Sequence, residues 1–326
     1  RGSGLAVVRG RRGGGTVRVR RPGAAWLTVR GRCPGARLGL ASVAAPGDLD
    51  GDGAPDLAVV GSACRERSAL WLVRGGAGGT VTLGASPRAV AIVRSDRRDL
   101  DEVARVGDVD GDGAADVAVS AELGDRGSLV AVLSGPPNRR RALVGDRSTE
   151  VRSRDCPDLS VGAPAGDVNG DGLDDLFIGV GDACAALVAP AYVLFGSAPA
   201  GSTSPAGIPA GRGLAIEGWA TPLGGDRTGD GLADLLTTGP DDDLLTVVPG
   251  RAAPGTLEPR LAGAAGQRLR LPLRPAFAFP EVAAGLPDVD GDGLVEIAAA
   301  AQHARLRSGR GDGPGLVFVA GSRRAG

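Results

Sequence analysis

Five short segments of this chain carry acidic residues at alternate positions, with glycines between them. The first segment runs from Asp48 to Asp56, and its pattern D-x-[DNT]-G-D-G-x-x-[DE] recurs four more times. The first acids of successive segments lie 60, 59, 59 and 62 residues apart. A spacing this regular indicates one structural unit that is repeated along the chain.

We call these segments loops 1 to 5 and number their positions from 1 to 9. Acids at positions 1, 3 and 5 of a tight turn converge on one point, and glycines at positions 4 and 6 let the backbone turn sharply. A backbone carbonyl at position 7 and the acid at position 9 complete a cage of oxygen atoms. Such a cage suits a hard cation and favours Ca²⁺ over Mg²⁺. The alternative, a set of turns that bind nothing, is disfavoured because carboxylates this close repel one another.

The sequence predicts up to five Ca²⁺ ions. Their predicted ligands stand at positions 1, 3, 5, 7 and 9 of each loop: Asp48, Asp50, Asp52, Ala54 and Asp56; Asp108, Asp110, Asp112, Ala114 and Asp116; Asp167, Asn169, Asp171, Leu173 and Asp175; Asp226, Thr228, Asp230, Leu232 and Asp234; Asp288, Asp290, Asp292, Leu294 and Glu296. Loop 4 is the weakest of the five, because a threonine replaces the acid at position 3.

An EF-hand is excluded, because it needs a Glu at position 12 and flanking helices. Position 12 holds Val59, Val119, Ile178, Thr237 and Ala299 in the five loops. Each loop instead leads into a short apolar run such as DLAVVG or DVAVS, which is typical of a strand.

Around each loop the same order of strands recurs. An apolar stretch precedes the loop (strand A), a second follows it (B), a third ends in glycine (C), and a more variable fourth (D) closes most units. Four short strands per repeat predict an all-β fold, a β-propeller of four-stranded blades in which each loop joins strands A and B. Strands B and C are apolar without alternation, as expected when both faces of a blade are buried.

These motifs resemble the integrin α-type propellers built of FG-GAP repeats. The matching residues are the five loops, the strand after each loop and the glycine-ended third strand, from Arg32 to the C-terminus. Leu38–Gly39 stands where the family has Phe-Gly, and Gly162–Ala163–Pro164 precedes its loop instead of following it. The resemblance implies that partners bind the face opposite the loops, formed by the D–A and B–C connections.

We therefore predict a single propeller domain over residues 1–326. Its parts are N-terminal closing strands (1–31) and blades at 32–96, 97–152, 153–217, 218–273 and 274–326. The last repeat supplies strands A, B and C, so Trp26–Arg30 is predicted to complete the fifth blade. Because Leu5–Arg9 resembles the last strand C, Leu316–Ala320, three alternatives stay open for it. The first alternative is that it packs at the rim, and the second is that blades are missing from a larger ring. The third is that it pairs with another molecule in self-association.

The four cysteines predict two disulfides. Cys33 precedes strand A and Cys64 follows strand B of the first unit, and Cys156 and Cys184 occupy the same places in the third. The start of A and the end of B lie side by side in an antiparallel pair, which favours Cys33–Cys64 and Cys156–Cys184 over free thiols. A zinc site is disfavoured because the chain has one histidine and no Cys-x-x-Cys. Disulfides and calcium loops together indicate a secreted, extracellular or cell-surface protein.

Composition narrows the function further. No run of 18 apolar residues is present, so no membrane span is expected. The chain begins with Arg1, without a Met or an apolar leader, so we expect it to be mature, trimmed or a fragment, with any export signal already removed. Aromatic residues make up 3% of the chain, too few for the stacking common in sugar and nucleic-acid sites. Eighteen of the 38 acids occupy loop positions, so the remaining surface is rich in arginine. That charge favours a solvated basic surface over a dedicated anion site, although an anionic ligand would suit it.

Catalysis has little support, because no nucleophile elbow or phosphate loop is present and His303 has no evident partner. Arg310–Gly311–Asp312 is an adhesion tripeptide elsewhere, but chance explains one occurrence in so Arg- and Gly-rich a chain. We expect a secreted, calcium-stabilised, non-catalytic module for binding, adhesion or scaffolding, with an extracellular protein or glycan as its ligand. The alternatives are a calcium-dependent lyase-type propeller that acts on polysaccharides, and a structural subunit of an extracellular layer or filament.

Overall fold

The computed structural model describes residues 4–8, 25–33, 36, 38–62, 64, 68–94, 99–133, 149–181, 184, 191–197, 201–238, 244–258, 266–270, 282–301 and 316–320. These residues form an all-β structure of 24 strands and two short 3-10 helices, Gly124–Arg126 and Pro205–Gly207. The chain divides into two compact units. The first comprises Arg1–Arg105, Asp112–Val161 and Pro199–Ser202, and the second Val106–Gly111, Gly162–Ala198 and Thr203–Gly326.

Strands β1 to β12 lie wholly or mainly in the first unit, and β15 has one residue in each unit. They are β1 (Gly4–Val7), β2 (Leu27–Arg30), β3 (Leu38–Gly47), β4 (Asp56–Gly61), β5 (Ala69–Val73), β6 (Gly79–Thr82), β7 (Ala89–Arg94), β8 (Asp99–Gly107), β9 (Asp116–Glu122), β10 (Ser128–Leu133), β11 (Thr149–Ser153), β12 (Leu159–Val161) and β15 (Ser202–Thr203). Three sheets have the orders β1-β2-β6, β3-β4-β5-β7 and β8-β9-β10-β11-β15.

The remaining strands lie in the second unit. They are β13 (Leu176–Val180), β14 (Ala191–Leu194), β16 (Gly213–Ile216), β17 (Ala220–Pro222), β18 (Leu235–Thr238), β19 (Leu244–Val248), β20 (Gly255–Leu257), β21 (Gln267–Arg270), β22 (Val282–Leu286), β23 (Glu296–Ala301) and β24 (Leu316–Ala320). They form sheets in the orders β13-β14-β16-β20, β17-β18-β19-β21 and β22-β23-β24.

The order of strands within the sheets matches the predicted A-B-C-D repeat. The first and fourth repeats are four-stranded sheets in that order. Loops 1, 4 and 5 each connect an antiparallel A–B pair, namely β3 and β4, β17 and β18, and β22 and β23. All residues of β5, β10, β14 and β16 are buried. Apolar runs without alternation therefore mark strands that are covered on both faces, as predicted.

In the first unit, successive sheets pack face to face. Ala58 and Val60 on one face of β4 share a core with Val117 and Val119 of β9 in the next repeat. The other face of the first repeat, which includes Trp71, packs against the sheet of the N-terminal strands. Each large side chain buried in this way contributes about 1.5–3 kcal/mol.

The second unit shows the same stacking. Val193 and Leu214 of the third repeat share a core with Leu235 and Val248 of the fourth. The opposite face of the fourth repeat, with Leu236 and Val247, packs against Ile297 and Ala299 of the fifth. Alternate residues of one strand thus serve two neighbouring repeats, which explains why a strand in the middle of the stack is apolar throughout.

The N-terminal strands do not lie where the sequence suggested. Leu27–Arg30 pairs antiparallel with Gly4–Val7 and parallel with Gly79–Thr82 of the first repeat. Both edges of this strand are therefore occupied, which corrects the prediction that Trp26–Arg30 completes the fifth blade. The N-terminal strands form a separate three-stranded sheet. The physical reason is the apolar face of the first repeat around Trp71, which Leu27 and Val29 cover.

The cysteines agree with the predicted disulfides. Cys33 and Cys64 are bonded, with their Cα atoms 4.8 Å apart. Cys156 and Cys184 are likewise disulfide-bonded, and no cysteine is free. Among the described residues, no helix has the length and apolar character needed to cross a membrane.

Candidate metal centres

The acid at position 1 organises each loop by accepting backbone hydrogen bonds. In loop 3, Asp167 Oδ1 accepts from the N–H groups of Gly170 (2.6 Å) and Asp171 (3.2 Å), and Oδ2 accepts from Gly172 (2.9 Å). Asp48 and Asp288 make the corresponding three bonds in loops 1 and 5. Gly170 and Gly172 have φ of 79° and 88°, a backbone conformation that glycine adopts without strain. The glycines predicted to shape the turn therefore do so.

The acid at position 5 fixes the second half of the loop. In loop 3, Asp171 Oδ1 accepts the N–H of Leu173 at 2.9 Å, and the same bond is present in the other four loops. A short side chain that accepts a bond from the backbone two residues on is a common turn device. Positions 1 and 5 thus hold the turn even before any cation is considered.

Acids converge in three loops. Carboxylate oxygens lie within 4.8 Å of one another in three groups: Asp48, Asp50 and Asp56; Asp108, Asp110 and Asp116; Asp288, Asp290, Asp292 and Glu296. The position-5 acids of loops 1 and 2, Asp52 and Asp112, are not part of these groups. Asn169 and Thr228 stand at position 3 of loops 3 and 4. Among the described residues, the acids left at positions 1, 5 and 9 of these two loops form no such group. In loop 1, Asp50 also forms an ion pair with Arg74.

The acid at position 9 has a second task that the sequence did not reveal. Asp175 is buried, and its carboxylate accepts the N–H of Val168 at 2.8 Å and the N–H of Gly196 at 2.7 Å. Val168 belongs to the loop, and Gly196 lies two residues after the third strand of the same repeat, β14. In loop 1, Asp56 bonds Leu49 and Gly75 in the same way. The acid therefore ties its loop to the end of strand C.

Burial makes ionisation of these acids unfavourable in the absence of a cation. It raises the pKa of Asp175 to about 7 and the pKa of Asp234 to about 6. It also raises the pKa of Asp56. Backbone hydrogen bonds oppose this effect, whereas nearby acids such as Asp171 strengthen it. A divalent cation in the loop would offset both the desolvation and the repulsion.

Glu296 in loop 5 gives the clearest test of whether the loops fit a cation. Its side chain is 2% exposed, and its Oε2 accepts the N–H of Val289 at 2.6 Å. Its Oε1 is buried and has no hydrogen-bond partner within the described residues. A buried carboxylate oxygen without a partner costs about 1–3 kcal/mol or more. Because Glu296 belongs to a convergent group of four acids, a cation would satisfy this atom. The donor set of loop 5 therefore fits Ca²⁺.

Neighbouring loops of the second unit are joined by a repeated backbone hydrogen bond. The N–H at position 8 donates to the position-1 carbonyl of the preceding loop: Asp174 to Asp108 (2.9 Å), Ala233 to Asp167 (2.8 Å) and Val295 to Asp226 (3.0 Å). We call each of these bonds a rung. Loop 1 has Pro55 at position 8, which has no N–H to donate.

Several predicted features are untested by this geometry. The position-7 carbonyls stay predicted ligands. Thr16–Arg21, His303 and Arg310–Gly311–Asp312 lie outside the described residues.

The comparison with protein families agrees with the repeat pattern. Residues 37–119 match the model of the FG-GAP-like repeat. The chain therefore contains an FG-GAP-like repeat that spans its first two loops, and the resemblance inferred from the motifs is confirmed for these residues.

Other comparisons add less. No curated protein matches the chain. Among solved structures, the chain is similar to a lectin from Agrocybe aegerita, described for its specific recognition of non-reducing terminal N-acetylglucosamine. The two share 15% sequence identity at a TM-score of 0.41, and the match covers 86% of this chain and 65% of the lectin chain.

Proposed function

We propose that loops 1, 2, 3 and 5 bind Ca²⁺ and that the ions stabilise the stack of sheets. The observation that carries this proposal is the buried, unpartnered Oε1 of Glu296 within a group of four convergent acids. Loops 1 and 2 support it with three convergent acids each. In loop 3, Asn169 supplies an amide oxygen at position 3, a ligand type that Ca²⁺ accepts.

The role proposed for the ions is structural. In loops 1 and 3, position 9 already links the loop to the segment that follows the third strand of its own repeat. In loops 3 and 5, position 8 also links the loop to the preceding loop. A cation held by positions 1, 3, 5 and 9 would fix all of these contacts at once. It would also remove the cost of several buried or neighbouring negative charges.

We further propose that the stacked sheets form a β-propeller of four-stranded blades that serves as an extracellular binding, adhesion or scaffold module. The face-to-face packing of successive sheets within each unit supports the propeller, and the disulfides support a location outside the cytoplasm. The blade boundaries, the binding face opposite the loops, the protein or glycan ligand and the non-catalytic role stay predictions from the sequence.

Two measurements test this proposal. Isothermal titration of the ion-free protein with Ca²⁺ should show saturable binding, and Mg²⁺ should bind more weakly because it prefers a smaller octahedral site. A screen against glycan and protein arrays, with Ca²⁺ and with chelator, should then find a ligand that binds only the calcium-loaded protein. Absence of any Ca²⁺ binding at millimolar concentration would refute the structural role, and release of cleaved polysaccharide would favour the lyase alternative.

A further inference from the structure

Loop 4 differs from the other loops at positions 2 and 3, where it carries Arg227 and Thr228. The hydroxyl of Thr228 is 3.4 Å from Asp234 Oδ1, to which it donates, and its backbone N–H donates to Asp234 Oδ2 at 2.7 Å. In loops 1, 2 and 5 the same position holds an acid that belongs to the convergent group. Position 3 of loop 4 therefore binds the position-9 acid directly.

Asp234 has no acceptor capacity left over. Besides the two bonds from Thr228, its Oδ2 accepts the N–H of Arg227 at 2.7 Å and its Oδ1 accepts the N–H of Gly250 at 3.2 Å. A carboxylate offers about four lone-pair sites, and each oxygen of Asp234 already has two donors. Glu296 is the opposite case, because one of its oxygens is unpartnered. A cation at loop 4 would have to displace existing bonds, whereas a cation at loop 5 would displace none at that atom.

Arg227 brings a positive charge to loop 4. It is 2% exposed, and its Nη1 donates to the carbonyl of Val295 in loop 5 at 2.9 Å. The N–H of Val295 donates in turn to the carbonyl of Asp226 at 3.0 Å. Asp226 and Arg227 thus bind the backbone N–H and the backbone carbonyl of Val295 in loop 5. The other loops have an apolar residue at position 2. Arg227 therefore adds a fixed positive charge at the junction of loops 4 and 5 that the other junctions lack.

We propose that loop 4 is closed by the chain's own side chains and takes no cation, so that the five loops bind four Ca²⁺ ions. The inference rests on the proposed function for loops 1, 2, 3 and 5. Inside the loop, Thr228 binds the position-9 acid Asp234 in place of an ion. At the junction with loop 5, Arg227 binds the carbonyl of Val295 and supplies the positive charge in place of an ion. The stack then contains one junction that does not depend on calcium.

The experiment counts bound ions in matched variants of two adjacent loops. Asp171→Asn in loop 3 and Asp230→Asn in loop 4 make the same change at position 5. In both loops, position 5 accepts the position-7 N–H at 2.9 Å, and an asparagine keeps this bond. After equilibrium dialysis against a fixed concentration of free Ca²⁺, calcium is measured per chain by mass spectrometry. We expect Asp171→Asn to lose one ion and Asp230→Asn to lose none.

A gain-of-site variant provides the converse test. Thr228→Asp restores the acid of the other loops and removes the hydroxyl donor to Asp234, so we expect one additional ion per chain. Circular dichroism confirms that each variant is folded before its ions are counted. The proposal is overturned if Asp230→Asn loses an ion as Asp171→Asn does, or if Thr228→Asp gains none. If no variant and no wild-type protein holds Ca²⁺, the proposed function fails instead, so the two failures are distinguishable.

Discussion

The backbone N–H of Ala233 in loop 4 donates to the backbone carbonyl of Asp167 in loop 3 at 2.8 Å. Asp167 therefore acts twice, because its carboxylate organises its own loop and its carbonyl holds the next one. The same relationship joins loop 2 to loop 3 and loop 4 to loop 5. Contacts between nearest neighbours are the usual source of stability in repeat proteins. Each of these bonds thus links one loop to the loop that follows it.

Removal of calcium should lower the melting temperature of the protein. Extracellular calcium modules often have a Kd of about 10⁻⁴ to 10⁻³ M. At a tenfold excess of Ca²⁺ each ion would add about 1.4 kcal/mol, and four ions would add about 6 kcal/mol. Differential scanning calorimetry in Ca²⁺ and in chelator measures this difference.

Asp110→Ala should reproduce part of the chelator effect, because it removes one acid of the convergent group in loop 2. The control is Asp125→Ala, which removes an exposed acid in the short helix Gly124–Arg126. Equal melting temperatures for wild type in Ca²⁺ and in chelator would contradict a structural role for the ion.

The sequence alone predicted the features that depend on local patterns. The spacing of acids and glycines located the loops, and apolar runs without alternation located strands such as Ala69–Val73 that are buried on both faces. The places of Cys33 and Cys64 at the ends of strands A and B predicted their disulfide. Each of these patterns lies within one repeat, so it can be recognised from this one sequence.

The features that the sequence missed depend on contacts between distant segments. The parallel pairing of Leu27–Arg30 with Gly79–Thr82 joins segments about 50 residues apart. Neither segment carries a sequence pattern that predicts this pairing. The rungs use backbone groups, which any residue except proline supplies. For the rungs, the one signal in the sequence was Pro55, because a proline at position 8 has no N–H to donate.

Gly250, which follows the third strand of the fourth repeat, should not tolerate a side chain. A Cβ at Gly250 would lie 2.5 Å from the carbonyl oxygen of Val168 and 2.7 Å from that of Ala233. Gly250→Ala should therefore destabilise the protein by about 1–3 kcal/mol, because backbone atoms cannot yield as a flexible side chain does. Urea unfolding measures the loss. Gly207→Ala is the control, since its nearest neighbours are the side-chain oxygens of Thr203 and Ser204. Comparable stabilities for the two variants would contradict this account of the glycine.

The N-terminal sheet should contribute to stability through the face of the first repeat. Leu27 is 2% exposed and shares a core with Trp71, which is 3% exposed. Leu27→Ala should cost about 2–5 kcal/mol, as large-to-small changes in a core do. Thr28→Ala is the matched control, because the neighbouring side chain is half-buried and outside that core. Chemical denaturation that gives the same free energy of unfolding for both variants would show that this sheet does not pack on the first repeat.

The rung between loops 3 and 4 can be removed without changing any predicted ligand. Ala233→Pro takes away the N–H that donates to Asp167, and Pro55 shows that position 8 accepts proline in loop 1. Loss of the bond leaves the carbonyl of Asp167 unpaired, which should cost about 1–3 kcal/mol. The matched control is Ala115→Pro at position 8 of loop 2, because Ala115 makes no rung to loop 1 within the described residues. In urea unfolding at one Ca²⁺ concentration, Ala233→Pro should therefore be less stable than Ala115→Pro by that amount. If both prolines lower the free energy of unfolding equally, the effect belongs to the loop alone and the rung does not transmit stability between repeats.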